Sequence, residues 1–353
     1  MDILTELATT LNYWVATLWQ FLQTVPLVSK VMDILCVILP LSFLLAFAGL
    51  GFLSGTARIL AVIRKRSSYE KCSHQLALFS VLLGWALLVC TRVWLFHVQG
   101  SDVPDSLPNF LLETGWMLLG MAVMFTSIYY IGWRMCRNVP MLHAVLGIFC
   151  GIWAVLATGV ALAAARLSTV TASPAVAGIT LEQIYAPGIM TPFFCALCMT
   201  LPLALALGGG IGAVWLVLRR KHDDFGRDHY NIMLPWCAKW ARNAWFFFWL
   251  LLLAATSLRI YNQWQGNVFT PEKALLESVI LLLWIVPAVL WSIVANSGAP
   301  LRHKLTLWMA FALSLAGAFP YYGDMTSISS PTAQEEIVSQ DDGGSSSAVI
   351  PAP

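Results

Sequence analysis

Apolar runs recur along almost the whole length of this chain, and nothing else constrains its fold as strongly. About 20 consecutive apolar residues, wound as a helix, cross a hydrocarbon core about 30 Å thick. Such runs fall at about 32–62, 75–97, 109–133, 141–166, 189–218, 233–258, 273–297 and 303–320. The expected fold is therefore an all-α polytopic membrane protein with eight transmembrane helices. Composition agrees: 59% of residues are hydrophobic and 11% charged, against about 25% charged in ordinary soluble domains. A soluble α/β enzyme and a nucleic-acid-binding domain are excluded. The formal net charge of +2 carries little information, because in a membrane protein the placement of charge matters more than its sum.

Residues 1–30 form an apolar stretch interrupted by Asp2, Glu6, Asn12, Gln20 and Gln23. It reads as a ninth span or as an amphipathic helix lying in the interface. A cleavable signal peptide is not expected, since the basic n-region is missing. Loop charge sets the orientation. Arg64, Lys65, Arg66 and Lys71 share one side with Arg134, Arg137, Arg219, Arg220, Lys221, Arg227, Arg302 and Lys304. The opposite loops hold Asp102 and Asp105, then a Ser/Thr/Ala segment at 168–180 without Lys or Arg. The positive-inside rule places the basic loops in the cytoplasm. Residues 99–108, 167–188 and 261–272 and the C-terminal tail then face outward across a bacterial cytoplasmic (inner) membrane. The tail, 323–353, carries Asp324, Glu335, Glu336, Asp341 and Asp342 and ends rich in Gly, Ser and Pro. Such a composition is too poor in apolar area to offset its ordering entropy, so disorder is expected.

The chain reads as two copies of one four-helix unit, 31–166 and 189–322, joined by the external loop 167–188. Ile63-Arg64-Lys65-Arg66 is matched by Leu218-Arg219-Arg220-Lys221, and Arg92-Val93-Trp94 by Arg259-Ile260-Tyr261. Leu111-Leu112-Glu113-Thr114 is matched by Leu275-Leu276-Glu277-Ser278, and Pro140 with His143 by Pro300 with His303. Four helices per copy make both cross in the same sense, a parallel repeat about an axis along the membrane normal. Two tandem four-helix bundles are the expected architecture.

Ionisable groups inside spans are costly and need a partner or a task. Glu113 and Glu277 lie about one turn inside the outer end of a helix, and Arg92 and Arg259 lie near the outer end of the preceding one. A helical hairpin brings each Arg beside its Glu, so the expected pairs are Arg92–Glu113 and Arg259–Glu277. They either lock the hairpins or form a proton path or polar wall for a redox cofactor. Of the six histidines, His74, His143, His222, His229 and His303 lie near the cytoplasmic surface and His97 at the outer one. His143 and His303, at equivalent helix starts, are the candidate haem ligands. Cys195 and Cys198 form a lone CxxC, which reads as helix packing ahead of a metal site. Gly208, Gly209 and Gly210 read as a close helix approach.

The stretch 87–137 resembles the cytochrome bd oxidase subunit I family. It runs through Thr91-Arg92 and Gly100 to Glu113, then through a long apolar run to Gly132-Trp133-Arg134. Asp105 and Glu113 reproduce the family's spacing of two acidic residues eight apart. The resemblance covers about 40–200 and implies tandem four-helix bundles plus one further helix. Where the family places its haem-ligating histidines this chain has positions near Pro40 and Cys195, and 273–297 contains no Met. The family's long quinol-binding loop is reduced to 261–272. The resemblance thus implies a relative that interacts with quinone but lacks the family's haem ligands, so haem b and oxygen reduction at this chain are not expected. A second similarity, to quinone-binding anchor subunits, rests on the eight helices in two bundles. The expected function is an integral membrane subunit of a respiratory electron-transfer complex, interacting with quinone or supporting a quinone-reactive partner. Its expected partners are the other subunits, among them a cytochrome on the outer side. The alternatives are a structural membrane anchor without ligand and a secondary transporter.

Overall fold

The computed structural model describes residues 26–99, 107–172, 192–223, 225–265 and 270–326. Every regular element among them is helical. The first four helices are α1 (Pro26–Arg64), α2 (Ser67–Gln99), α3 (Leu107–Ile131) and α4 (Pro140–Ala172). Then come α5 (Pro192–Asp223), α6 (Arg227–Gln265), α7 (Pro271–Leu283) and α8 (Val286–Asn296), followed by α9 (Lys304–Leu315) and α10 (Ala318–Thr326). Short 3-10 turns at Met135–Asn138 and Pro300–Arg302 lead into α4 and α9. Helices α7 and α8 are two parts of one segment, as are α9 and α10, so eight segments are long and apolar enough to cross a membrane. They coincide with the eight apolar runs of the sequence. Residues 1–25, Asp102, Asp105, most of the external loop and the tail beyond Thr326 lie outside the described residues.

Proline opens α4, α5 and α7, where a missing N–H costs nothing and a fixed φ favours the first turn. The two basic hairpin turns also share a device. Lys65 between α1 and α2 has φ 51°, and Gly226 between α5 and α6 has φ 82°. Lys65 is the residue just past the end of α1, a usual place for a left-handed residue, whereas Gly226 immediately precedes α6.

Within the first unit α1 packs on α2 and α4, and α3 closes the ring by packing on both of these. The second unit repeats the pattern: α5 packs on α6 and on α9 and α10, while α8 packs on α6 and α9. The two units meet chiefly along α1 and α5. Matching Ile63 with Leu218 sets an offset of 155 positions, and this offset carries Gly49 onto Ala204. A Cβ added to Gly49 would lie 1.9 Å from the Ala204 carbonyl oxygen. The helices therefore cross where a residue meets its own repeat counterpart, as contact about a two-fold axis requires. Gly208 completes the crossing, because its added Cβ would lie 2.5 Å from the Gly49 carbonyl carbon. Small residues let the backbones close together where lipid supplies no hydrophobic drive for association.

Gly209 and Gly210 turn away from α1 to two other neighbours. A Cβ on Gly209 would meet the Ala241 nitrogen at 2.7 Å and the Cys237 carbonyl oxygen at 2.9 Å, both on α6. One on Gly210 would meet the Trp291 ring at 3.0 Å and the Phe311 ring at 3.2 Å. The same offset maps these positions back to Ser54, which hydrogen-bonds Ser73 on α2, and Gly55, which approaches Ala144 on α4. Each copy thus uses consecutive residues of its first helix to seat its second and fourth spans. The expected close approach at the three glycines is present, and α5 is the hub of the molecule.

The last two spans are broken in the middle, which the apolar pattern did not announce. Trp284 and Ile285 (ψ −6° and −21°) divide α7 from α8. Pro287, just inside α8, has no N–H to offer the carbonyl four residues back. Ala316 and Gly317 divide α9 from α10, and Pro320 plays the same part there. Carbonyls freed at membrane depth need internal donors. Trp249 Nε1 donates to the Leu281 oxygen (2.9 Å) and Trp245 Nε1 to the Trp284 oxygen (2.8 Å). Ser42 Oγ on α1 donates to the Leu315 oxygen (3.0 Å). The fully buried Trp245 also lies against Gly317, whose added Cβ would be 2.3 Å from the indole Cη2. One side chain therefore holds both breaks.

Candidate functional site

The hairpin between α2 and α3 brings Arg92 and Glu113 together as expected. Arg92 Nη1 donates to both carboxylate oxygens, at 2.7 and 2.8 Å. The guanidinium lies over the Trp116 ring, 4.8 Å from its centroid. Trp116 is itself held by a bond from Nε1 to the Leu88 carbonyl (3.1 Å). Both charged side chains keep about a third of their surface open, 33% and 32%.

The equivalent place in the second unit holds one group more. Arg259 Nε lies 4.0 Å from Glu277 Oε2 on α7, a loose contact. Its closer carboxylate is Asp324 on α10, which accepts from Nη1. Nη2 donates to Thr256 Oγ1 at 3.0 Å. Asp324 stood at the head of the acidic tail in the sequence reading. Helix α10 instead runs on to Thr326 and buries the Asp324 side chain to 4% exposure. One turn earlier the buried Tyr321 hydroxyl bonds Thr200 Oγ1 at 2.8 Å and ties α10 to α5. Asp324 is thus the site residue that sequence reasoning missed. Its signal was the aromatic run Phe319-Pro320-Tyr321-Tyr322, which carries the apolar pattern two residues past the span end placed at 320. Among the described residues two carboxylates thus share one guanidinium.

The candidate haem ligands have different surroundings. His143 is fully buried in the first unit, with Nε2 2.7 Å from the Tyr129 carbonyl oxygen. Because that oxygen only accepts, Nε2 carries the proton. The ring stacks on Tyr129 at 4.3 Å and meets Trp133 edge-on at 5.0 Å. His303 is the residue before α9, next to the turn that packs on α6. The other ring nitrogen of His143, Nδ1, is buried and has no hydrogen-bond partner among the described residues.

The end that carries the basic loops holds two polar clusters that the spacing did not single out. Arg58, 3% exposed, pairs with Glu70 at 2.5 Å and lies 4.6 Å over the Trp133 ring. Beside it Ser54, Ser73 and the Tyr129 hydroxyl bond one another at 3.0–3.4 Å. Where the units meet, Gln75 accepts from His229 Nε2 (3.1 Å) and donates to Asp223 (2.7 Å). Asp223 in turn pairs with Arg219 at 2.7 Å. Sequence alone placed His229 near a surface, because its partner Gln75 lies in another helix. Of the CxxC pair, Cys195 is buried and Cys198 exposed.

The chain matches no known protein family, no characterised protein and no solved structure.

Proposed function

We propose that this chain is the membrane-embedded subunit of a respiratory electron-transfer complex. It interacts with a quinone, or supports a partner that does, and handles protons at the end opposite the basic loops. The observation that carries the reading is Arg259 set between Glu277 and the buried Asp324, in the second unit's counterpart of the Arg92–Glu113 place. An ion pair that only fastened a hairpin would need a single carboxylate, as Arg92 has. The second carboxylate adds a negative charge in a place where charge is costly, and it suits a group that takes up and passes on a proton. The resemblance of 87–137 to the bd oxidase subunit supports the choice of quinone as the redox partner. Orientation in a bacterial cytoplasmic membrane, with the basic loops inside, belongs to the same proposal.

The test is quinone-linked turnover by the chain purified with its native partners. Glu277→Gln and Asp324→Asn would each lower turnover tenfold or more while the complex stays intact on a native gel. Loss of assembly without loss of turnover per complex would favour the structural anchor. A reduced-minus-oxidised visible spectrum and organic extraction of the same material would report any bound haem and quinone directly.

The broken spans favour a second reading, the secondary transporter, because unwound segments at mid-depth often line substrate sites. Both breaks, however, lie in the second half of the chain, and carbonyls beside them accept from Trp245, Trp249 and Ser42. Flux of a labelled substrate through vesicles containing the chain alone would decide for the transporter.

A further inference from the structure

Helix α6 carries two cations, Lys239 and Arg242, and neither has a carboxylate within ion-pair distance among the described residues. Arg58, Arg92 and Arg259 each have such a partner. Arg242 Nε donates only to the neighbouring Asn243 side chain, at 2.9 Å. Lys239 and Arg259 are twenty positions apart on one helix, about 30 Å at 1.5 Å per residue. That separation matches the hydrocarbon thickness. With Arg259 at one face of the membrane, Lys239 therefore lies near the other, on the side of the basic loops.

Two outward-facing grooves flank these residues. One, of about 450 Å³, lies between α5 and α6 and is lined by Lys239, Trp240 and Leu205. The other, of about 420 Å³, lies between α6 and α8 and is lined by Arg242, Phe246 and Val289. Asn243 and Phe247 line both and form the ridge between them. Each groove is the size of a small-molecule pocket, open on the lipid side, with a cation along it and apolar walls.

We infer that this ridge seats one anionic phospholipid, its phosphate between Lys239 and Arg242 and one acyl chain in each groove beside Phe247. Charge complementarity selects the occupant, since two cations without carboxylates attract a phosphate and a zwitterionic lipid offers them no net charge. Basic recesses between spans on the cytoplasmic side are suited to acidic headgroups. The two-groove form suits a two-chain lipid. The inference holds whether or not the proposed electron-transfer role is correct, because its readouts are lipid content and stability.

The test uses the full chain extracted in mild detergent from membranes containing both phosphatidylglycerol and phosphatidylethanolamine. Tightly held lipid is counted by extraction and mass spectrometry for the wild type, for K239Q/R242Q and for the charge-preserving K239R/R242K. About one anionic lipid per chain is expected in the wild type and in the charge-preserving variant, with at least a fivefold loss in K239Q/R242Q. Should that variant fail to fold, the delipidated wild type still answers. Its thermal midpoint should rise on adding phosphatidylglycerol and stay constant on adding phosphatidylcholine. Equal retention of anionic lipid by all three proteins, equal stabilisation by both lipids, or a co-purifying acidic subunit in place of lipid would overturn the proposal.

Discussion

Gly49 and Ala204 touch backbone to backbone where the first helix of one four-helix unit crosses the first helix of the other, and each is the other's repeat counterpart. A Cβ at Gly49 has nowhere to go, because its nearest neighbours are backbone atoms of Ala204 and Gly208. Gly49→Ala should therefore force α1 and α5 apart and destabilise the chain by about 1–3 kcal/mol, the usual range for overpacking. Gly159→Ala is the control, since nothing lies within 4 Å of its added Cβ. Thermal unfolding in detergent should show a lower midpoint for the first variant and little change for the second. Equal midpoints would mean that the two units are not held at this crossing.

The two arginine sites should respond unequally to loss of a carboxylate. Arg92 and Glu113 are both about a third exposed, and exposed pairs are worth at most about 1 kcal/mol. Asp324 is 4% exposed and its partner Arg259 is 32% exposed, so the strong penalty for stranding a buried charge applies only in part. That penalty is about 3–5 kcal/mol for a fully buried pair, and solvent reaching Arg259 reduces it. Asp324→Ala should still cost more than Glu113→Ala. A double-mutant cycle should also give a larger coupling for Arg259 with Asp324 than for Arg259 with Glu277, whose contact is 4.0 Å. The reverse order would mean that α10 does not close on the site.

The eight spans, the hairpin pairing of Arg92 with Glu113 and a close approach at Gly208, Gly209 and Gly210 were legible in the sequence because each shows in local pattern. The partner of Gly208 on α1, Gly49, did not show in it. Apolar length fixes a span, and a short turn fixes which helix ends meet. The position of Asp324 depended on one further turn of helix after Pro320, and a proline near a span end gave no sign that the helix resumes. The surroundings of His143 and His229 depend on Tyr129 and Gln75, partners in other helices that no spacing along the chain identifies. Lys239 and Arg242 were visible as letters. Their lack of carboxylates became visible only when the faces of α5, α6 and α8 were placed together.

Trp245 joins the breaks of the last two spans and should be sensitive to two kinds of change. Trp245→Phe keeps a ring against Gly317 and removes the donor to the Trp284 carbonyl, leaving a buried acceptor unsatisfied at a cost of about 1–3 kcal/mol. Trp245→Ala also opens a cavity, and large-to-small changes of this kind cost about 3–5 kcal/mol. The midpoints should therefore fall in the order wild type, Phe, Ala. Amide exchange around Trp284 and Gly317 should quicken in both variants, with α1 to α4 little changed. Exchange confined to the α7–α8 break would show that Trp245 does not hold the second one.

The proposed orientation makes opposite predictions for two turns. Lys65 lies in the basic turn between α1 and α2, and Thr270 immediately precedes α7 at the other end of the bundle. Loops rich in Lys and Arg are retained in the cytoplasm, so position 65 should be inside and position 270 outside. In a background with all 8 native cysteines replaced by alanine or serine, Thr270→Cys should react with a membrane-impermeant maleimide applied to spheroplasts of the expressing cells. Lys65→Cys should react only after permeabilisation. The opposite labelling would invert the chain and place the Arg259, Glu277 and Asp324 cluster at the cytoplasmic face, where a partner on the outer side could not reach it.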